Sequence, residues 1–71
     1  MGDGITAKLA NVNVKLVEYL GNLSGYALVA TGNIYQDKRG RFSNGEFVMT
    51  SRIEKVEGNK IYTQNSVYEV I

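Results

Sequence analysis

The stretch Glu46-Phe47-Val48-Met49-Thr50-Ser51-Arg52-Ile53-Glu54-Lys55-Val56-Glu57-Gly58-Asn59-Lys60-Ile61-Tyr62-Thr63 decides the fold. Phe47, Met49 and Ile53 fall on one parity and Glu46, Thr50, Arg52 and Glu54 on the other, the alternation of a half-buried strand over Glu46 to Val56. On that parity Ser51 points inward. Val56 breaks the alternation, which predicts a bulge near Lys55. Gly58-Asn59 tolerates positive φ and reads as a two-residue hairpin turn, with Lys60 to Thr63 returning alongside. Gln64-Asn65-Ser66 makes a second tight connection to a strand from Val67 to Ile71. This predicts a three-stranded meander.

Upstream, Tyr26 to Gln36 reads as another strand, with Tyr26, Leu28, Ala30 and Ile34 on one parity and Thr31, Asn33 and Tyr35 on the other. Gly32 interrupts it and predicts a bulge or a close backbone approach. Residues 5–20 read two ways. Ile5, Leu9, Val12, Leu16, Tyr19 and Leu20 share a helical face with Gly21 as its stop. Asn11 to Leu16 nevertheless alternates strictly, and Asn and Val are mediocre helix formers, so a strand paired with Tyr26–Gln36 is the preferred reading. The fold expected is all-β: a small antiparallel sheet or barrel-like meander of about five strands, with an N-terminal helix in an α+β fold as the alternative.

At 71 residues and 7.8 kDa the chain is expected to form a single small domain, 1–71. A chain this short buries only about 60% of its unfolded surface, and such domains often recruit disulfides, a metal or a second subunit. Cysteine and histidine are both absent, which excludes disulfides, Cys/His zinc sites and any nucleophile–base pair built from those residues. No cofactor is expected. Oligomerisation is the stabiliser left beside good packing. The net charge of +1 is no signature of a polyanion binder. No apolar run approaches the ~20 residues of a membrane span, and Met1-Gly2-Asp3-Gly4 lacks the basic start of a signal peptide. A soluble, cytoplasmic protein with no membrane partner is expected.

An enzyme is not expected. Thr50-Ser51-Arg52 lacks a nucleophile elbow, and the one close carboxylate pair, Glu54 and Glu57, reads as a solvated edge. Gly40-Arg41-Phe42-Ser43-Asn44-Gly45 matches no phosphate loop and reads first as a strand connection. Its charge carries the functional alternative. Lys38, Arg39 and Arg41 place three positive charges within four residues, beside Tyr35 and Phe42. Residues 38–60 hold six basic and three acidic side chains, so the rest of the chain carries −2. Arginine forks pair with phosphate and aromatic rings stack on bases. Polar groups at Thr50, Ser51 and Asn65, with Tyr68, suit a small hydrogen-bonding ligand. The candidate ligand site is therefore Arg39, Arg41, Arg52, Tyr35, Phe42, Thr50, Ser51, Asn65 and Tyr68.

From Gly32 onward the chain runs through Gly32-Asn33-Ile34-Tyr35-Gln36-Asp37, Gly40-Arg41-Phe42-Ser43-Asn44-Gly45, Val48-Met49-Thr50-Ser51-Arg52-Ile53, Glu57-Gly58-Asn59 and Thr63-Gln64-Asn65-Ser66-Val67-Tyr68. That succession, over residues 32–70, resembles a group of short proteins encoded by bacteriophages and prophages. The resemblance assigns no residue a role. It implies a small protein that acts by binding in the host cytoplasm: a sponge for a nucleotide immune signal such as a cyclic nucleotide, or an inhibitor of a host defence enzyme. Three readings follow: a homo-oligomeric protein that sequesters a small anionic ligand, a protein-interaction inhibitor, and a small nucleic-acid-binding barrel.

Overall fold

The computed structural model describes residues 4–20 and 24–71, with the backbone alone at 19, 20 and 24. Among these residues six strands form one sheet: β1 (Ala7–Leu20), β2 (Ser24–Tyr35), β3 (Glu46–Met49), β4 (Ile53–Glu57), β5 (Lys60–Thr63) and β6 (Val67–Val70). The order across the sheet is β3-β2-β1-β6-β5-β4. The protein is all-β, and residues 5–20 are not a helix among the described residues. Leu9 is core while Leu16 is exposed, so the residues of the alternative helical face do not share one environment.

Two differences from the sequence reading have physical causes. The sheet is mixed, because β1 runs parallel to β6 through Ala7↔Tyr68 and Leu9↔Val70. That pairing is non-local, so no turn signal announces it; Thr6 N donates to Val67 O at 2.7 Å. The stretch Glu46–Val56 is two strands rather than one, broken at residues 50–52. Its parity also differs. Val48 is buried, and Phe47 and Met49 are exposed. Val48 lies opposite Gly32 in the β2–β3 register, and the missing side chain at Gly32 leaves the core-facing side open to Val48.

The strand order dictates the curvature. β3 and β4 lie at opposite edges, a separation of about 24 Å in a flat six-stranded sheet at ~4.8 Å per strand. Yet Met49 and Ile53 are joined by three residues, which reach at most about 14 Å. The sheet must therefore curl until its edges approach. The link is bonded on both sides of the gap. Thr50 N donates to Ala30 O (2.8 Å), and Thr50 Oγ1 accepts from Ala30 N (3.0 Å). Beyond it, Arg52 O accepts from Gln64 N at 3.0 Å. No ladder joins β3 to β4 among the described residues, so the roll is not a closed barrel.

Inside the curl lie Ala7, Leu9, Ala30, Ile34, Val48, Ile61 and Tyr68, with Val12, Phe42, Ile53 and Val70 packed against them. Gly32 is a close-approach site, as its position in the sequence suggested. A Cβ there would lie 2.6 Å from Ala10 O. The bulge itself is on β1: Ala10 pairs with Asn33 and Asn13 with Thr31, so Asn11 and Val12 share the space opposite Gly32. Asn11 takes the left-handed conformation (φ 55°), which Asn tolerates better than other side chains, and its Nδ2 donates to Asn33 Oδ1 at 3.1 Å. The bulge expected near Lys55 is present between Ile53 and Lys55. The Gly58-Asn59 turn joins Glu57 to Lys60, with Gly58 at φ 59°.

Candidate functional site

The β2–β3 loop, residues 36–45, is organised by one carboxylate. Asp37 Oδ1 accepts from Arg39 N (3.1 Å), and Oδ2 accepts from Arg41 N (2.9 Å) and Phe42 N (3.2 Å). Burial raises the Asp37 pKa in part, but the three amides and the nearby Arg41 charge outweigh that and hold it below the ordinary carboxylate value. The loop base is pinned as well: Asn44 Oδ1 accepts from Gln36 N (2.8 Å), and Gly45 N donates to Ile34 O (2.6 Å). A loop whose carboxylate is satisfied by its own amides in this way holds the backbone of Arg39 and Arg41 in a defined arrangement.

Those arginines have different tasks. Arg39 reaches across to the β5–β6 turn, donating from Nη1 to Ser66 Oγ (3.2 Å) and from Nη2 to Asn65 O (2.7 Å). It ties two loops together. The turn it grips is closed by Thr63, whose Oγ1 donates to Ser66 O at 3.0 Å and accepts from Ser66 N at 3.1 Å. Arg41 has no such commitment. Its guanidinium carbon sits 5.5 Å from the centre of the Phe42 ring, and among the described residues it makes no hydrogen bond or close ion pair through its side chain.

Between these loops and the β3–β4 link opens a cleft of about 410 Å³, lined by Arg39, Arg41, Phe42, Val48, Met49, Thr50, Ser51, Asn65, Ser66 and Tyr68. Small-ligand sites begin at about 300 Å³. No acidic side chain lines it among the described residues. Val48 and Tyr68 belong to the core, so the floor of the cleft is the open end of the rolled sheet. Several groups on its walls have unspent hydrogen-bonding capacity among the described residues. The Ser51 hydroxyl, the Asn65 side-chain amide and the Arg41 guanidinium have no hydrogen-bond partner. Tyr68 is buried, yet among the described residues no buried polar side-chain atom lacks a partner and its hydroxyl makes no hydrogen bond. The Tyr68 hydroxyl is therefore not fully closed off from solvent. Thr50 differs, because its hydroxyl is spent on Ala30 N and Ser51 O.

Of the nine residues singled out in the sequence, Arg39, Arg41, Phe42, Thr50, Ser51, Asn65 and Tyr68 are brought together here. Arg52 and Tyr35 are not on the lining. Arg52 points along the exposed side of the sheet, 3.7 Å from Glu54 Oε2, and Tyr35 lies with its hydroxyl over Gly45. Val48, Met49 and Ser66 line the cleft without having been anticipated. Val48 was hidden by the parity of its bulkier neighbours, and Ser66 reads as ordinary turn chemistry.

Among the described residues no group of three acidic, His or Cys side chains could hold a metal ion, and no helix is long and apolar enough to cross a membrane. Comparison with protein-family models, with curated proteins and with solved structures finds no match to the chain.

Proposed function

We propose that this chain is a non-catalytic binding protein that sequesters a small anionic ligand in the cleft, and that it does so as a homo-oligomer. The observation that carries the reading is the chemistry of the walls: two arginines with no acidic neighbour among the described lining residues, together with hydrogen-bonding groups at Ser51, Asn65 and Tyr68 that the described residues leave unspent. A nucleotide is the ligand class that suits it. Arg41 would pair with a phosphate, Phe42 or Tyr68 would face the base, and Ser51 and Asn65 would bond its polar edge. Arg39 is the positioning residue that holds the walls together. The resemblance to phage proteins supports sequestration of a nucleotide immune signal in a host cytoplasm as the biological setting. A second reading, an inhibitor that binds a host protein, is favoured by Phe47 and Met49, which are exposed on the short edge strand β3. A nucleic-acid-binding barrel is the third, and the near-neutral charge weighs against it.

Native mass spectrometry of the purified protein with a mixture of cyclic and linear nucleotides tests the ligand. Selection of one nucleotide at fixed stoichiometry supports the proposal, and failure to bind any turns the search to pull-downs from host lysate. Arg41→Ala is expected to weaken binding at least tenfold, about 1.4 kcal/mol or more, with the melting temperature unchanged. Normal binding by that variant would remove Arg41 from the site. Affinity that falls steeply with salt and extends to long single strands would favour the nucleic-acid reading.

A further inference from the structure

β1 and β2 are much longer than the strands around them. β1 has 14 residues and β2 has 12, against four or five in each of the others. β6 pairs only with Ala7–Leu9 of β1, and β3 only with Thr31–Ile34 of β2. Beyond those contacts the hairpin continues in unbroken register from Asn13↔Thr31 to Leu20↔Ser24. Among the described residues the β1 edge in this arm carries no ladder partner. Such a two-stranded ribbon is marginal by itself in water, and a long unpaired edge invites pairing.

The arm is apolar on one face. Cross-strand pairing puts Val14 beside Ala30, Leu16 beside Leu28 and Glu18 beside Tyr26. This face continues the core face of the sheet outward from the fully buried Ala30. None of the described residues covers it. Val14 is 54% exposed, Leu16 65%, Tyr26 71% and Leu28 47%. Together the four side chains leave on the order of 500 Å² in water, near the top of the range for the largest patch on a soluble monomer.

We propose that the apolar face of the β1–β2 arm, centred on Leu16 and Leu28, is a homodimer interface covered by the same face of a second copy. Two arguments select a second copy as the occupant. Packing the patch on itself removes on the order of 1,000 Å² in total, the threshold for a stable interface. The patch also has little charge of its own to match a charged partner: Glu18 is the one charged side chain among its cross-strand pairs, while Lys15 lies on the opposite face beside Val29. This inference gives a surface to the oligomeric part of the proposed function and does not depend on the ligand, since no described side chain of the arm lines the cleft.

Sedimentation equilibrium at micromolar concentration tests it. The wild-type chain is expected at twice 7.8 kDa, and the double variant Leu16→Lys with Leu28→Lys at the monomer mass with an unchanged far-ultraviolet circular dichroism spectrum. Phe47→Lys, on the other face, is expected to remain a dimer. A monomeric wild type overturns the proposal, whether it stays free in solution or floats with phosphatidylcholine vesicles. So does a dimer that persists in the double variant or is lost in Phe47→Lys. Should the double variant not fold, cross-linking decides. The chain has no cysteine, so Leu16→Cys is expected to give an oxidised dimer under conditions where Phe47→Cys gives none, and the reverse pattern overturns the interface. Nucleotide titration of each species separates the two proposals. A dimer that binds no nucleotide removes only the ligand, and a monomer that binds one removes only the interface.

Discussion

At the scale of single residues, Asp37 and Gly32 do the most with the least. Asp37 takes three loop amides and is held below its ordinary pKa of 3.8. A group depressed in the folded state stabilises fully above its unfolded value and loses that contribution as pH falls through the lower folded value. Urea denaturation curves are therefore expected to show a loss of stability below pH 3.8 in the wild type that is smaller in Asp37→Asn, which keeps an acceptor oxygen but not the charge. Equal acid dependence in both proteins would remove Asp37 from that role. Gly32 is set by space, not by a positive φ. Gly32→Ala would drive a methyl group against Ala10 O and Leu9, and a cost of about 1–3 kcal/mol is expected from such overpacking, read as a lower urea midpoint at unchanged m-value.

At the scale of elements, the deciding piece is the link from β3 to β4. Thr50 is bonded to Ala30 through its backbone and through its hydroxyl, and the next two residues carry the chain to the other edge of the sheet. Thr50→Val keeps the shape and removes the hydroxyl. The buried Ala30 N then loses its partner, and a loss of about 1–3 kcal/mol is expected, with faster hydrogen exchange at Ala30 as the local signature. The same substitution is expected to loosen the cleft, because Thr50 and Ser51 form one of its walls. Arg39→Ala acts on another wall. It is expected to weaken ligand binding and also to lower the melting temperature, whereas Arg41→Ala affects binding alone.

At the scale of the whole molecule, the parallel pairing of β1 with β6 joins segments about 60 residues apart; Val67 N donates to Thr6 Oγ1 at 3.2 Å. Loop closure over that distance must precede any reward from the contact, so this pairing is expected late in folding. Ala7→Gly at the buried start of β1 is expected to leave the folding arm of the chevron nearly unchanged and to speed unfolding, a φ-value below about 0.3. A value near 1 would place the β1–β6 contact in the nucleus instead. The two hairpins β1–β2 and β4–β5, each closed by local sequence, are the elements expected to form first.

Local chemistry was legible in the sequence because it acts over a few residues. The all-β class, the Gly58-Asn59 turn, the bulge beside Lys55, the short β5 and β6, and the close approach at Gly32 follow from alternation, left-handed tolerance and the absence of a side chain. Much of the lining of the candidate cleft was legible for a related reason: Arg39, Arg41 and Phe42 sit in one loop, and Thr50-Ser51 and Asn65 sit in turns, so curling the sheet sufficed to gather them. What the tertiary structure alone decided is pairing between distant segments. Alternation says that a strand has two faces, but not which face is covered. Val48 is inside because it meets Gly32 across the ladder, and Leu16 is outside because β6 ends its pairing at Leu9. The approach of β3 and β4 follows from a sheet order that no local signal encodes, and with it comes the cleft between their ends.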